Sequence, residues 1–295
     1  MISRALFDKM NKHVRGIEKV TIDEAKILDG AYRGPLKYVD KDIEINDAIK
    51  YDVSSYYPYV MSQTEFMFPV TEGVLKKTNK SYPLEIRKLK IIGNHKYFRR
   101  TESDYYDTYQ IELMDILGVE YEETNEPKLC YKHPIKGKDL FGYFDDLYDM
   151  KQNGNKFAKL MMNATHGQLS RKKEYEIPGD NLQERDKPNV IDYDEKRDIF
   201  ILSSEQPFKF EYGRIKNFLA SYIRLHLVKT YLMPIREKGF DVYLSNVDSI
   251  LTNATKKEMK RLGFSFGNNM GDLKVEQRYE GKWQIKTMFK VVECK

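Results

Sequence analysis

Two carboxylates in this sequence lie where an extended segment gives way to a turn. Asp52 follows residues 48–51, which we predict to end a strand, and precedes residues 56–61, whose apolar spacing predicts a short helix. Asp248 lies at the tip of a β-hairpin predicted over residues 242–251, where two apolar runs flank a polar segment. Carboxylates brought together from distant strands can hold a pair of magnesium ions, an arrangement that supports nucleotidyl transfer.

Asp52 also has a simpler interpretation, because an aspartate at this position can cap the helix that follows it. In the metal-site interpretation, the Asp52 carboxylate and the backbone carbonyl of Val53 both coordinate a divalent cation. The second carboxylate-bearing turn, at Asp248, favours the metal site.

A basic segment lies between the two carboxylates. Lys156, Lys159, Asn163 and His166 recur at helical spacing, so we expect them on one face of a helix. Two ammonium groups on one face can hold a triphosphate, although a solvated basic face is the commoner explanation of a lysine pair. The neighbouring face is expected to be apolar and to consist of Phe157, Leu160, Met161 and Ala164.

Together these stretches resemble the family B DNA polymerases. Residues 52–58, DVSSYYP, are similar to that family's D-x-x-S-L-Y-P, and residues 159–167, KLMMNATHG, are similar to K-x-x-x-N-S-x-Y-G. Residues 244–249, LSNVDS, resemble Y-x-D-T-D-S. Residues 32–34, YRG, and residues 220–224, ASYIR, resemble the Y-x-G-G and T-x-x-x-R elements of the protein-primed branch from bacteriophages and linear plasmids. All five stretches occur in the family's order.

The resemblance implies an α+β fold: a polymerase right-hand palm, built as an antiparallel sheet with packed helices, plus helical fingers. We expect one DNA polymerase domain over residues 1–295, with neither a thumb nor an exonuclease domain, which a separate chain would then supply. Its expected parts are a palm with template-contact loop and motif A (1–70), an insertion (71–140), fingers helices (141–170), a second insertion or hairpin (171–205) and a palm segment with motif C (206–295).

The resemblance further implies template-directed transfer of a nucleotide from a dNTP to a primer 3′-hydroxyl, or to a hydroxyl of a terminal priming protein. Asp52 and Asp248 would be catalytic and, with Val53, would hold two Mg²⁺ ions. The residues implied to bind the incoming nucleotide are Ser55, Tyr57, Lys151, Lys156, Lys159, Asn163 and His166. Those implied to contact primer–template DNA are Tyr32, Arg33, Gly34, Arg224, Ser249 and Lys286.

The sequence departs from the family pattern at the second carboxylate-bearing turn. Asn246 stands where the family has the first aspartate of D-T-D, and His166 replaces a tyrosine of the nucleotide pocket. Because Asp52 and Asp248 remain, we expect Asn246 to modify the rate and to favour Mn²⁺ over Mg²⁺. The alternative is a degenerate palm that binds DNA or a partner without catalysis, which Asn246 and His166 favour.

Composition is compatible with this interpretation and does not establish it. The 295 residues carry a net charge of +5 and have a pI near 8.8, a mild excess that suits nucleic acid. Two distant cysteines, Cys130 and Cys294, provide no disulfide framework and favour a reducing compartment. We find no transmembrane-length apolar run and no signal peptide, so we expect no membrane partner and a cytoplasmic location in a host cell.

Periodicity and turn signals predict the remaining elements. These are a basic helix near the N-terminus followed by a cap at Thr21, irregular chain over 70–140 around a helix at 108–117, a helical pair over 141–151 and 156–170, a loop or hairpin over 171–197, a helix over 210–236, and a hairpin of 273–279 with 283–292.

Overall fold

The structure is a computed structural model that describes residues 16–169, 171–204, 208–209 and 211–294. The basic helix expected before residue 16 lies outside the described residues. The helices are α1 Ile22–Ala31, α2 Tyr56–Gln63, α3 Thr108–Leu117, α4 Gly137–Phe141, α5 Phe144–Gln152, α6 Lys156–Gln168, α7 Gly213–Leu227, α8 Met233–Glu237 and α9 Lys256–Arg261. Short 3-10 turns lie at Gly179–Asn181 and Lys187–Asn189, and a π-helical turn at Val228–Leu232.

The strands form antiparallel sheets, so the fold is mixed α and β. Their bounds are β1 Lys37–Val39, β2 Ile43–Val53, β3 Met67–Pro69, β4 Val74–Lys76, β5 Leu84–Ile91, β6 Tyr105–Asp107, β7 Tyr121–Glu123, β8 Lys128–Tyr131, β9 Pro134–Lys136, β10 Glu174–Pro178, β11 Val190–Asp194, β12 Ile199–Ser203, β13 Val242–Asn246, β14 Ser249–Thr252, β15 Leu273–Thr287 and β16 Lys290–Glu293. Within the described ranges, no helix has the length and apolar character needed to cross a membrane.

A six-stranded sheet in the order β1-β13-β14-β2-β15-β16 carries the predicted carboxylates. On the central strand β2, Tyr51 and Val53 are fully buried in the main hydrophobic core, to which α2 and α7 also contribute. Ala48 packs in a smaller cluster on the other face. Because side chains alternate along a strand, Asp52 lies on the face opposite the main core.

The segment that we expected to be irregular, residues 70–140, is largely ordered into strands. β4, β8, β5 and β6 form one sheet, and β7 pairs with the far end of β5. These strands are short, and they are held by partners distant in sequence, so they leave little local periodicity to recognise. The predicted helix at Thr108–Leu117 is confirmed; Asp107 caps it, and Gly118 ends it with a φ of 65°.

The predicted hairpin turn at residues 280–281 is wrong. β15 runs without a break from Leu273 to Thr287 and pairs with β2 along its length. Gly281, with a φ of 76°, sits in a bulge of this strand, and its N–H donates to the Asp47 carboxylate at 2.8 Å. The chain reverses later, between Thr287 and Lys290, where β16 begins. A glycine that signals a turn can equally mark a bulge in a long strand.

Two further segments differ in detail from the prediction. Residues 171–204 form a three-stranded sheet in the order β10-β12-β11, which is a hairpin with an added strand. The long helix predicted over residues 210–236 is interrupted by the π-helical turn, directly before Pro234 near the start of α8. Proline has no backbone N–H to donate, so the regular hydrogen-bond ladder of α7 cannot pass through it unchanged.

Candidate active site

Main-chain hydrogen bonds bring the two carboxylate-bearing turns together. The tip of the β13–β14 hairpin is tight: Val247 has a φ of 61°, and the Asp248 N–H donates to the Asn246 carbonyl at 2.8 Å. The Asp248 carbonyl accepts the N–H of Val53 at 2.9 Å, and Ser249 pairs with Asp52 across the strands. The predicted hairpin and its carboxylate therefore lie directly beside the end of β2.

The site brings several carboxylates close to one another. Burial raises the pKa of Asp52 to about 6, and repulsion from the Asp248 and Glu276 carboxylates contributes to the same effect. Burial also raises the pKa of Asp248, and Glu276 again adds to the shift. A cation placed between these groups would relieve the repulsion.

The helix-cap interpretation of Asp52 does not hold. The residue at the N-cap of α2 is Ser55, which has a φ of 49° and makes no side-chain capping bond. The Ser55 hydroxyl instead accepts a hydrogen bond from the Lys151 ammonium at 2.7 Å. Burial lowers the pKa of Lys151, and the nearby ammonium groups of Lys274 and Lys159 lower it further. The turn after Asp52 thus faces a group of lysines.

Helix α6 presents part of the face that we predicted. Asn155 caps it by accepting the N–H groups of Phe157 and Ala158, and Lys156, Lys159 and Asn163 are exposed. Only part of the predicted apolar face packs inward, because Met161 is buried whereas Phe157 and Leu160 are each 50% exposed. The side chains that pack inward are those of Ala158, Met161, Met162 and Thr165.

A cavity of about 300 Å³ lies between α2, α6 and the β13–β14 turn, and its lining includes Tyr57, Asn163, His166 and Asp248. The rings of Tyr57 and His166 meet edge to face with centroids 4.4 Å apart. Burial lowers the pKa of His166 to about 4, and the Lys216 ammonium contributes, so the imidazole is neutral at pH 7. In this cavity the Asp248 carboxylate therefore lies near side chains of α2 and α6.

Among the residues predicted to contact DNA, the two arginines donate hydrogen bonds to backbone carbonyls. Arg33 donates to the carbonyls of Arg100 and Tyr32. Arg224, expected to reach DNA phosphate, is only 2% exposed, and its guanidinium donates to the Gly34 carbonyl at 2.6 Å. In this structure it holds the 32–34 loop from inside the protein.

Lys286 lies far from the carboxylates. It stands twelve positions along β15 from Lys274, the residue that pairs with Asp52. At about 3.3 Å per residue this separates it from the site by roughly 40 Å of strand. Its ammonium lies 3.8 Å from the Asp42 carboxylate. The structure therefore does not bring Lys286 to the cavity.

Sequence reasoning missed the residues that β15 places near Asp52. Glu276 adds a negative charge near Asp52 and forms an ion pair with Lys50 at 3.0 Å, and Lys274 pairs directly with Asp52 across the strands. These residues lie more than two hundred positions from β2 in the sequence, and the only local signal was the apolar alternation of Leu273 and Val275.

Comparison with solved structures identifies the architecture. The chain superposes on phi29 DNA polymerase complexed with single-stranded DNA with a TM-score of 0.71, at 16% identity, covering 100% of this chain and 57% of that one. The chain has a polymerase-like fold. Its similarity to phi29 DNA polymerase complexed with primer-template DNA has a TM-score of 0.70 at 18% identity, covering 96% and 52%. For the orthorhombic crystal form the values are 0.65, 16%, 100% and 58%.

The chain with this polymerase-like fold spans a little over half the length of these structures. No protein-family model matches its sequence, and no curated protein matches it. At identities below one fifth, the likeness establishes the fold and leaves the chemistry to be argued from the residues.

Proposed function

We propose that this chain is a template-directed DNA polymerase that transfers dNMP units to a primer 3′-hydroxyl or to a hydroxyl of a priming protein. The observation that carries the proposal is the Val53–Asp248 main-chain bond, which sets the turn after Asp52 beside Asp248, at a cavity that Asp248 and helix α6 both line. The polymerase-like fold supports it, and so do the DNA complexes among the similar structures.

The side chains present suit two Mg²⁺ ions. The Asp52 and Asp248 carboxylates and the Val53 carbonyl are all oxygen donors, which Mg²⁺ and Mn²⁺ prefer. Among the described residues, no group of three acidic, histidine or cysteine side chains is arranged to hold a metal. Mg²⁺ is commonly bound through one or two carboxylates plus substrate phosphates, so two carboxylates are enough. When bound, the ions would activate the attacking hydroxyl and stabilise charge on the phosphates.

The chain's own residues would position the substrates. Lys151, already at the Ser55 hydroxyl, and Lys159, close enough to lower the pKa of Lys151, would neutralise the triphosphate. Tyr57 would pack under the sugar and exclude a 2′-hydroxyl, and the neutral His166 would support the Tyr57 ring. We place the template strand at the loop that contains Tyr32.

A second function is favoured by one observation. Asn246 leaves the hairpin with one carboxylate where the resembled family has two, and a palm weakened in this way could bind nucleic acid without catalysis. Primer extension separates the two functions: wild type should extend a labelled primer with Mn²⁺, and Asp52→Asn should not. No extension by wild type with either Mg²⁺ or Mn²⁺, while DNA binding is intact, would establish the binding module and reject the polymerase.

A further inference from the structure

A second cavity, of about 230 Å³, lies between α1, the start of α7 and the chain segments that flank the β10–β12 sheet. Its lining includes Asp29, Tyr32, Lys172, Phe208, Lys216 and Asn217. At about 230 Å³ the cavity is slightly smaller than the usual range of about 300–1,000 Å³ for ligand sites, so it has room for at most one nucleotide.

The lining combines cations with aromatic faces. The Lys172 ammonium lies 4.5 Å from the centre of the Phe208 ring, and the Lys216 ammonium lies 5.5 Å from that of Tyr32. Asp29 pairs with Lys172 at 2.6 Å, which leaves the lining with one more positive than negative charge. Burial lowers the pKa of Lys216, and the Lys172 ammonium lowers it further, so an anion between the two would be stabilised.

Residues that line the two cavities lie close enough to interact electrostatically. Burial raises the pKa of Tyr57, and the next contribution comes from the neighbouring Tyr32. The Lys216 ammonium likewise lies close enough to His166 to lower the pKa of its imidazole. Tyr57 and His166 line the first cavity, whereas Tyr32 and Lys216 line the second. The template base being copied must pair with the nucleotide held in the first cavity, so the next unpaired template nucleotide would lie close enough to enter the second.

We propose that the second cavity binds one unpaired nucleotide, with its phosphate between Lys172 and Lys216 and its base against Tyr32 and Phe208. Aromatic faces interleaved with cations are the usual means of holding single-stranded nucleic acid. The source we assign is the single-stranded template next to the position being copied, and this assignment rests on the proposed polymerase function. A free nucleotide offers the same phosphate and base, so the experiment includes it as a separate arm.

The test measures binding without divalent metal, so it does not depend on catalysis. A primer–template carries the fluorescent base 2-aminopurine at the first unpaired template position, and a blunt duplex serves as the reference. Lys216→Ala and Lys172→Ala should each weaken binding of the overhang substrate about tenfold while leaving the blunt duplex unchanged. The matched control is Lys229→Ala, which removes an exposed lysine from the π-helical turn that follows α7 and should bind both substrates as wild type does.

Phe208→Leu examines the base contact separately, because it should reduce quenching of the fluorescent base even if the phosphate is still held. Displacement of the overhang by free dAMP would show that a mononucleotide is sufficient. No displacement, with the lysine dependence intact, would restrict the site to strands. Equal loss of blunt and overhang binding in the lysine variants, or no loss in either, would overturn the proposal.

The two proposals can fail independently. If the protein does not extend primers but Lys216→Ala still loses overhang binding selectively, the polymerase proposal fails and the nucleotide site stands. If wild type extends primers and overhang binding is indifferent to both lysines, the nucleotide site fails alone.

Discussion

The N–H of Val53 donates to the carbonyl of Asp248 at 2.9 Å, and this bond joins two turns that lie nearly two hundred residues apart. The bond is between main-chain atoms, so replacing either acidic side chain leaves it in place. Asp52 and Asp248 can therefore be exchanged for their amides to measure charge effects, with the backbone of the site retained.

We expect Asp52→Asn to stabilise the metal-free protein at neutral pH. The pKa of Asp52 is raised to about 6 in the fold, so the fold favours the protonated form. That favourable contribution is complete below the ordinary aspartate pKa and is lost as the pH rises through about 6. The gain at pH 7.5 should be about 1 kcal/mol once solvent screening is allowed for, and it should vanish near pH 4.

Urea unfolding at the two pH values measures this difference. Glu44→Gln removes an exposed carboxylate from the same strand, β2, and provides the control, which should show little change at either pH. A loss of stability in Asp52→Asn at pH 7.5 would contradict the electrostatic account.

With bound metal, wild type should become more stable than Asp52→Asn, which is the reverse of the order expected without metal. Mg²⁺ or Mn²⁺ that binds the folded state raises the melting temperature of wild type by mass action. Asp52→Asn and Asp248→Asn should lose most of this rise, because each removes one of the two carboxylates. Thermal unfolding with increasing metal concentration measures it. An equal rise in wild type and both variants would place the metal elsewhere.

Lys159→Ala should impair nucleotide use more than DNA binding. The side chain is exposed on α6, so the fold should tolerate its loss, while its ammonium would act as a point charge on the triphosphate. We expect KM for dNTP to rise about tenfold and DNA affinity to stay within about twofold. The control is Lys229→Ala. A parallel loss of DNA affinity and nucleotide use would remove the triphosphate role.

Asn246→Asp should raise the rate of primer extension with Mg²⁺ more than with Mn²⁺. The change keeps the side-chain shape and adds a negative charge beside the Asp248 turn. Mg²⁺ needs near-ideal geometry and gives up water reluctantly, whereas Mn²⁺ binds such sites more tightly, so Mg²⁺ gains more. Extension rates of both proteins in each metal measure the effect. Lower activity in Asn246→Asp would show that the site depends on the amide.

Arg224→Met should weaken DNA binding without changing its salt dependence. Arg224 is buried and bonded to the Gly34 carbonyl, so we expect it to act by positioning the 32–34 loop. A residue that contacts phosphate directly would reduce the slope of log affinity against log salt by about 0.9 when removed. Binding measured across a salt series separates the two roles. A slope reduced by that amount would restore the direct phosphate contact that we predicted from the sequence.

Local hydrogen bonding explains what the sequence determined by itself. The helix at Thr108–Leu117 has its capping aspartate and terminal glycine within the segment, and the β13–β14 hairpin has its polar tip between two apolar runs. Such elements depend on neighbours a few residues away, which a sequence pattern records directly. The positions of Asp52 at a strand end and Asp248 at a tip followed from the same local signals.

The tertiary structure alone decided which distant segments meet. The unbroken β15, the placement of Glu276 and Lys274 near Asp52, and the burial of Arg224 all depend on pairing and packing between remote parts of the chain. The exposed Phe157 and Leu160 show the same limit, because helical spacing predicts that residues share a face but not which face packs inward. Strand partners and packing faces are selected by the burial of the whole core, and no short stretch of sequence contains that information.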